Sequence, residues 1–302
     1  MRFTRALALG ASALVLVSAC STGGGSKPTV KVGSDGFYEA KLMAEIYAQA
    51  LEAGGYTVDR TGIGIGARKV SAPALESGQI DLKPEYIGSG LAFYEPGKQT
   101  GDPAANAAAL QAVLTTKGGG ITVLDYSPAA DQNAFVVRKD TATQFNLAKL
   151  SDTTAVQNQL KWGLATDCKT NPVCAAALKA AYGLDPTNVT PLAACDTPMA
   201  QALLNKTIDV AELCSTQPDI AVNGFVVLTD DKQTQPADNL APLVRNDLLA
   251  KVDKPAFEKI LNDVSAKMDT ATLTDLGKQI TVDKKDIAAV AKAWLQSAGL
   301  VK

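Results

Sequence analysis

The chain has 302 residues, 46% hydrophobic and 20% charged, the profile of a folded protein of about two ordinary domains, which excludes disorder over most of its length. It contains no histidine, so a Ser-His-Asp triad, a Cys-His dyad, a histidine-liganded zinc and an imidazole acid or base are all absent. Its 29 basic residues are scattered, in no run longer than two, against 31 acidic ones, which is no electrostatic footprint for nucleic acid.

Arg2 and Arg5 precede a run of apolar and small residues from 6 to 17, followed by Ser18, Ala19 and Cys20. This is the layout of a secretory signal, and the run is too short to span a bilayer comfortably. Val17-Ser18-Ala19-Cys20 also resembles the bacterial lipobox, which implies that residues 1–19 are a lipoprotein signal peptide and that Cys20 carries the lipid. Residues 20–28, with STGGGS at 21–26, then form a flexible tether. The competing reading is a secreted protein with an incidental cysteine. On the lipoprotein reading the mature body is extracytoplasmic, anchored to the outer face of the cell membrane.

Alternating strand-like and helical runs follow from residue 29, the pattern of an α/β protein. Residues 29–33 read as a strand. Leu42, Met43, Ile46, Tyr47, Ala50 and Leu51 then recur at helical spacing, and Gly54-Gly55 ends that helix. Strands are expected at 56–61, 80–86 and 121–126, with helices at 67–76 and 103–116. The composition turns polar at 127–133, and a second alternating unit begins. Its strands are expected at 160–164, 188–192 and 208–214, and its helices at 173–182 and 198–205. After an apolar run at 225–228 and a polar stretch at 230–239 comes a strand-like run at 240–245. The remainder is helical, with Phe257, Ile260, Leu261 and Val264 on one face and a last helix through Val290 and Trp294. The simplest topology is a first lobe, 29–131 plus 236–302, interrupted by a second, 132–235, with crossings near 131 and 235.

Cys168, Cys174, Cys195 and Cys214 all fall in the second unit, an even number in an oxidising compartment. Three pairings are possible. The short loops favour Cys168 with Cys174 and Cys195 with Cys214. A zinc site of four thiolates is weakened by the lack of a C-x-x-C element, and buried free thiols are the remaining alternative.

Gly33-Ser34 with Phe37 and Glu39, Gly78-Gln79-Ile80-Asp81, and Pro84-Glu85-Tyr86-Ile87-Gly88-Ser89 stand in order along the first unit. They resemble the substrate-binding proteins of osmoprotectant (glycine betaine, choline, carnitine) ABC importers, whose stretches read roughly G-S-K-x-F-T-E-Q and G-E-I-D-x-x-P-E-Y-T-G-T. The resemblance continues through 179–184, Ile208-Asp209-Val210-Ala211, Ser215-Thr216, 228–232 and 241–245, and so covers nearly all of 29–302. It implies a two-lobe type II periplasmic-binding clamshell with two interlobe crossings. It also implies a monomer, without metal or cofactor, that captures a small solute and delivers it unchanged to a membrane permease with a cytoplasmic ATPase. No catalytic residue is expected.

A quaternary ammonium hides its charge under methyl groups, and proteins bind it through the negative faces of several aromatic rings. The family supplies tyrosines from both lobes for this. Tyr86 matches one of them, and Ser89 stands where a threonine donor is usual. Asn133 replaces a tyrosine after Asp131, Cys214 one before Ser215-Thr216, and Asp238 one before Asn239, while Asp35 beside Ser34 takes the place of a carboxylate-binding lysine. Of seven tyrosines only Tyr182 lies beyond residue 126, so a four-tyrosine cage shared between lobes cannot be built. Phe135, Phe145, Trp162 and Phe225 sit in apolar contexts that suit core packing. The expected site is therefore polar: Ser34, Asp35, Arg68, Tyr86, Ser89, Asp131, Asn133, Ser215, Thr216 and Asp238, with Gln217 and Lys169 nearby. Such a site suits a solute more polar than glycine betaine, because a buried polar group left unpaired costs about 1–3 kcal/mol.

Residues 62–67 satisfy G-x-G-x-x-A, with Asp81 and Glu85 about twenty residues on, the pattern of a dinucleotide site. A close strand-to-helix turn is the favoured reading, with a minor anion site assisted by Arg68 as an addition. Asp230-Asp231 and the Asp81/Glu85 pair could be imagined as glycosidase carboxylates, but solvated turn charges account for them. An exported enzyme or a ligand sensor on the same clamshell is the alternative to solute capture, since fold does not dictate function.

Overall fold

The computed structural model describes residues 27–302. The expected signal peptide, the lipidated Cys20 and the tether up to residue 26 lie outside the described residues. The first unit runs β1 (Thr29–Asp35), α1 (Tyr38–Ala53), β2 (Thr57–Gly66), α2 (Arg68–Ser77), β3 (Leu82–Tyr86), α3 (Ile87–Tyr94), α4 (Pro103–Leu114) and β4 (Ile121–Val123). The second runs β5 (Asn133–Val137), α5 (Lys139–Phe145), α6 (Leu150–Thr153), β6 (Trp162–Ala165), α7 (Ala175–Tyr182), β7 (Val189–Leu192), α8 (Thr197–Leu204), β8 (Val210–Cys214), α9 (Asp219–Val222) and β9 (Val226–Val227). The chain then returns as β10 (Leu240–Arg245), α10 (Asn246–Leu249), α11 (Lys254–Lys267), α12 (Thr270–Thr281) and α13 (Ile287–Ser297).

Two five-stranded sheets result, in the orders β2-β1-β3-β10-β4 and β7-β6-β8-β5-β9. The two orders are equivalent. In each sheet three parallel strands are followed by one antiparallel strand that enters straight after a crossing, β10 in the first and β5 in the second. The architecture is an α/β two-lobe clamshell. The crossings pair with each other through an antiparallel bridge, Ala130 with Asn239. Leu240 N–H donates to Ala129 O and Asp131 N–H to Asp238 O, both at 3.1 Å.

Helical periodicity in α1 becomes burial: Leu42, Met43, Ile46, Tyr47 and Leu51 are all fully buried. They pack on Val30 and Val32 of β1 and on Phe257, Leu261 and Leu295 of the returning helices, so the C-terminal segment completes the first lobe's core. The second lobe has its own core, built on Trp162, Phe135, Leu150 and Leu178. Phe135 and Trp162 are thus core residues with Phe145 packed against them, and Phe225 belongs to a separate buried cluster with Met199 and Leu203.

Two local expectations change. Residues 62–66 are not a turn; β2 runs through Gly66 beside β1, with two register shifts, opposite Lys31–Gly33 and Gly33–Asp35, at which the extra residues lie in β2. The glycines are needed there for close approach and backbone sign: a Cβ on Gly62 would sit 3.0 Å from Val32 O, and Gly64 has φ 77°. The apolar segment 133–137 forms β5, a strand that the polar stretch preceding it conceals.

The disulfides are Cys168–Cys174 and Cys195–Cys214, with Cα separations of 5.1 and 4.8 Å. All four sulfurs are thereby consumed, which removes the tetrathiolate alternative. Cys195–Cys214 closes a loop of 19 residues and ties the β7–α8 segment to the end of β8. A Cys195→Ala, Cys214→Ala double variant is expected to lose about 3 kcal/mol, the entropic worth of a loop of this length. Urea unfolding followed by fluorescence measures it, and a loss below about 1 kcal/mol would mean that the bond constrains little.

Candidate functional site: an acidic cavity between the lobes

In open α/β sheets the carboxyl ends of the parallel strands, where the strand order reverses, form a crevice. Here both sheets turn those ends toward each other. They enclose a cavity of about 330 Å³, at the small end of ligand pockets. The first lobe contributes Asp35 and Phe37 after β1, Gly66 to Arg68 after β2, and Tyr86 and Ser89 at the β3–α3 junction. The second contributes Ala165 to Asp167 after β6, Ala193 to Asp196 after β7, and Glu212 and Cys214 of β8. Asp131, Gln132 and Asn133 of the first crossing line it too.

Beneath the first-lobe wall lies a buried charge network. Lys83 is fully buried, and its Nζ lies 3.1 Å from Asp35 Oδ1, 3.0 Å from Glu85 Oε2 and 2.9 Å from Ser71 Oγ. Arg68 donates to Glu85 Oε1 from Nε and Nη2, at 3.0 and 2.9 Å, which leaves Nη1 without a partner among the described residues. Burial alone would raise Glu85, but the Arg68 and Lys83 charges overcome it and hold its carboxyl at about 2. The first lobe therefore presents neutralised carboxylates and one free guanidinium edge.

Glu39 joins the lobes. Tyr86 O–H donates to Glu39 Oε1 at 2.5 Å, and Thr216 O–H, from the second lobe, donates to Glu39 Oε2 at 2.6 Å. Burial and the neighbouring Asp131 raise the Glu39 carboxyl well above the usual range. Asp131 in turn accepts from Ser215 O–H and Thr216 N–H, both at 2.9 Å. Burial pushes Asp131 up to about 6 against those hydrogen bonds. On the other side, Ser89 N–H donates to Asp238 Oδ1 at 2.8 Å and its hydroxyl to Oδ2. Burial raises Asp238 to about 7. Gly88 has no room for a side chain, since a Cβ there would meet Ala237 O at 2.5 Å; this lets α3 start hard against the second crossing.

Of the residues singled out in the sequence, Asp35, Arg68, Tyr86, Ser89, Asp131 and Asn133 line the cavity. Ser34, Ser215, Thr216 and Asp238 stand outside that lining. Ser34 is buried in β1, where its hydroxyl donates to Asp35 O and accepts from Gly64 N–H. Ser215, Thr216 and Asp238 hold lining residues in place. Gln217 is buried behind the wall, and Lys169 is exposed away from it. Sequence reasoning missed Phe37, Asp167, Asn171, Asp196 and Glu212, all of which line the cavity. Glu212 had one signal: it is the charged residue inside V-A-E-L-C, a strand buried from end to end.

The lining chemistry is lopsided. Among the described residues the aromatic rings on the wall, Phe37 and Tyr86 with centroids 5.9 Å apart, both come from the first lobe. The second lobe offers Asp167, Asp196 and Glu212 and no basic side chain.

The model of the substrate-binding domain of ABC-type glycine betaine transport systems matches residues 28–297. The chain is 28% identical to the glycine betaine-binding protein YehZ of Escherichia coli K12, over 98% of this chain and 99% of that one. It is 26% identical to the carnitine transport binding protein OpuCC of Listeria monocytogenes, over 93% and 92%. The solved structure of a glycine betaine/carnitine/choline ABC transporter protein superposes with a TM-score of 0.68 at 24% identity, over 90% of this chain and 99% of that one, a likeness of fold. Two equivalent sheets, a cleft at their facing strand ends and a family match over almost every described residue converge on one placement: the chain belongs to the substrate-binding domains of ABC-type glycine betaine transport systems.

Proposed function

We propose that the protein is the extracytoplasmic solute-binding lipoprotein of an ABC importer of the osmoprotectant type. Lobe 29–131 plus 236–302 and lobe 132–235 close on a small solute and hand it unchanged to the permease. The relatives named above are binding proteins for glycine betaine and carnitine, and the cavity between the lobes supports the same task here. Export and anchoring rest on Arg2, Arg5 and the 17–20 sequence, with Cys20 as the lipidated residue.

The ligand is more polar than glycine betaine. The observation that carries this is the second-lobe wall, where carboxylates, Asn133 and the Cys195–Cys214 disulfide stand and no ring is present. Tyr86 and Phe37 pack against one side of the solute, Arg68 donates to it, and Asp35, the Ser89 hydroxyl oxygen, Asp131 and Asn133 accept from it. Ser34, Ser215, Thr216 and Asp238 set the positions of those groups.

Mass spectrometry of small molecules released from the natively purified protein tests this, followed by titration calorimetry with the released compound and with glycine betaine. The expected result is a solute bearing N–H or O–H donors that binds at least about tenfold more tightly than glycine betaine, one lost charged hydrogen bond being worth about that. Micromolar binding of glycine betaine with no binding of hydroxylated or amine solutes would overturn the reading.

A further inference from the structure

Glu212 lies at the centre of β8 and is 1% exposed. One carboxyl oxygen, Oε2, accepts from Ala165 N–H at 2.7 Å. The sulfur of Cys174 lies 3.3 Å from the same oxygen, but it is bonded to Cys168 and has no proton to give. Among the described residues nothing donates to Oε1, and the residue borders the cavity. The neighbouring charge on that wall is Asp167, of the same sign. Glu212 is thus buried, accepts a single N–H, and has no basic side chain on its own lobe's side of the cavity to pair with. A buried carboxylate with an open lone pair is complementary to a cation that carries hydrogen. It is poorly matched to a nitrogen wrapped in methyl groups, which offers no donor.

We propose that Glu212 is the specificity-determining residue of the second lobe, accepting an N–H from a protonated primary or secondary amine of the ligand. This rests on the solute-capture reading and narrows its ligand class. The opposite lobe has Arg68 Nη1 available for an anionic end, so a small amino acid-like zwitterion spans the cavity with its ammonium at Glu212 and its carboxylate at Arg68. Burial, with the like charge of Asp167 adding to it against the Ala165 hydrogen bond, pushes the Glu212 carboxyl up to about 7, which a cation placed beside it would reverse.

Matched pairs that differ only at nitrogen test the proposal: glycine against glycine betaine, and 4-aminobutyrate against its trimethylammonium counterpart. Each is titrated calorimetrically into the wild type and the Glu212→Gln variant, which keeps an oxygen for Ala165 N–H. The expected result is tighter binding of the amine member by wild type, lost by about 10- to 100-fold in the variant, with the quaternary member little changed. Equal binding of the two members, or a preference for amines that survives Glu212→Gln, overturns the assignment. Tight quaternary binding independent of Glu212 would overturn it while leaving solute capture standing. Binding of neither member, together with no solute released from the native protein, would sink both. Circular dichroism of Glu212→Gln separates a lost site from a lost fold.

Discussion

A Lys83→Met variant should unfold with about 3–5 kcal/mol less free energy than the wild type, the cost of leaving buried carboxylates without their cation. Lys83 is among the largest fully buried side chains of the protein, and its three partners, Asp35, Ser71 and Glu85, converge on one nitrogen. Glu85 would keep Arg68, but Asp35 would retain only Ser71. Methionine fills much of the lost volume, so the loss reports charge and not a cavity. A triple change that also makes Asp35→Asn and Glu85→Gln should recover part of the loss, because no uncompensated charge then remains. Denaturant unfolding measures both. A loss below about 1 kcal/mol in the single variant would mean that water, not Lys83, compensates these carboxylates.

Solute-free protein should be more stable at pH 5 than at pH 8. Burial raises Asp131 to about 6, and Asp238 and Glu212 to about 7, while in the unfolded chain they titrate near 4. Between those values the folded state binds more protons than the unfolded state, so stability falls as pH rises from about 4 to 7 and then levels. Each tenfold difference in proton affinity is worth about 1.4 kcal/mol, so the fall amounts to several kcal/mol. Glu85 works in the opposite sense. Its folded value of about 2 lies below its unfolded one, so its contribution is complete above about 4.5 and is lost as pH drops toward 2. The two trends place the optimum near pH 4. Thermal melts from pH 3 to 8 check this, and Asp238→Asn should flatten the high-pH limb. A melting temperature that rises steadily to pH 8 would contradict the assignment of these groups as buried and poorly compensated.

The lobes were legible because their cause is periodic. The 3.6-residue spacing of Leu42, Met43, Ile46 and Tyr47 has one packing solution, a helix laid on a sheet, and the alternation of such runs gives a parallel α/β core. The glycine run at 62–66 was misjudged because glycine signals a need for backbone freedom without saying whether a turn or a bulged strand uses it. The disulfides were legible from loop length alone, since all four cysteines lie within 47 residues of chain. The site was half legible. Tyr86 and Ser89 stand in a recognisable stretch, whereas Asp167, Asp196 and Glu212 meet only when three separate strand ends are brought together in space. Nothing local marks such a meeting except a charge where the strand pattern asks for an apolar residue, as at Glu212 and at Lys83.

The bridge between Ala130 and Asn239, with its flanking main-chain bonds, has a mechanical consequence. Two independent linkers would let the lobes twist, slide and bend, but two strands laced together act as a single axle. One rotation is then the softest motion these crossings allow, and, on the solute-capture function proposed above, it is the motion by which the lobes would close.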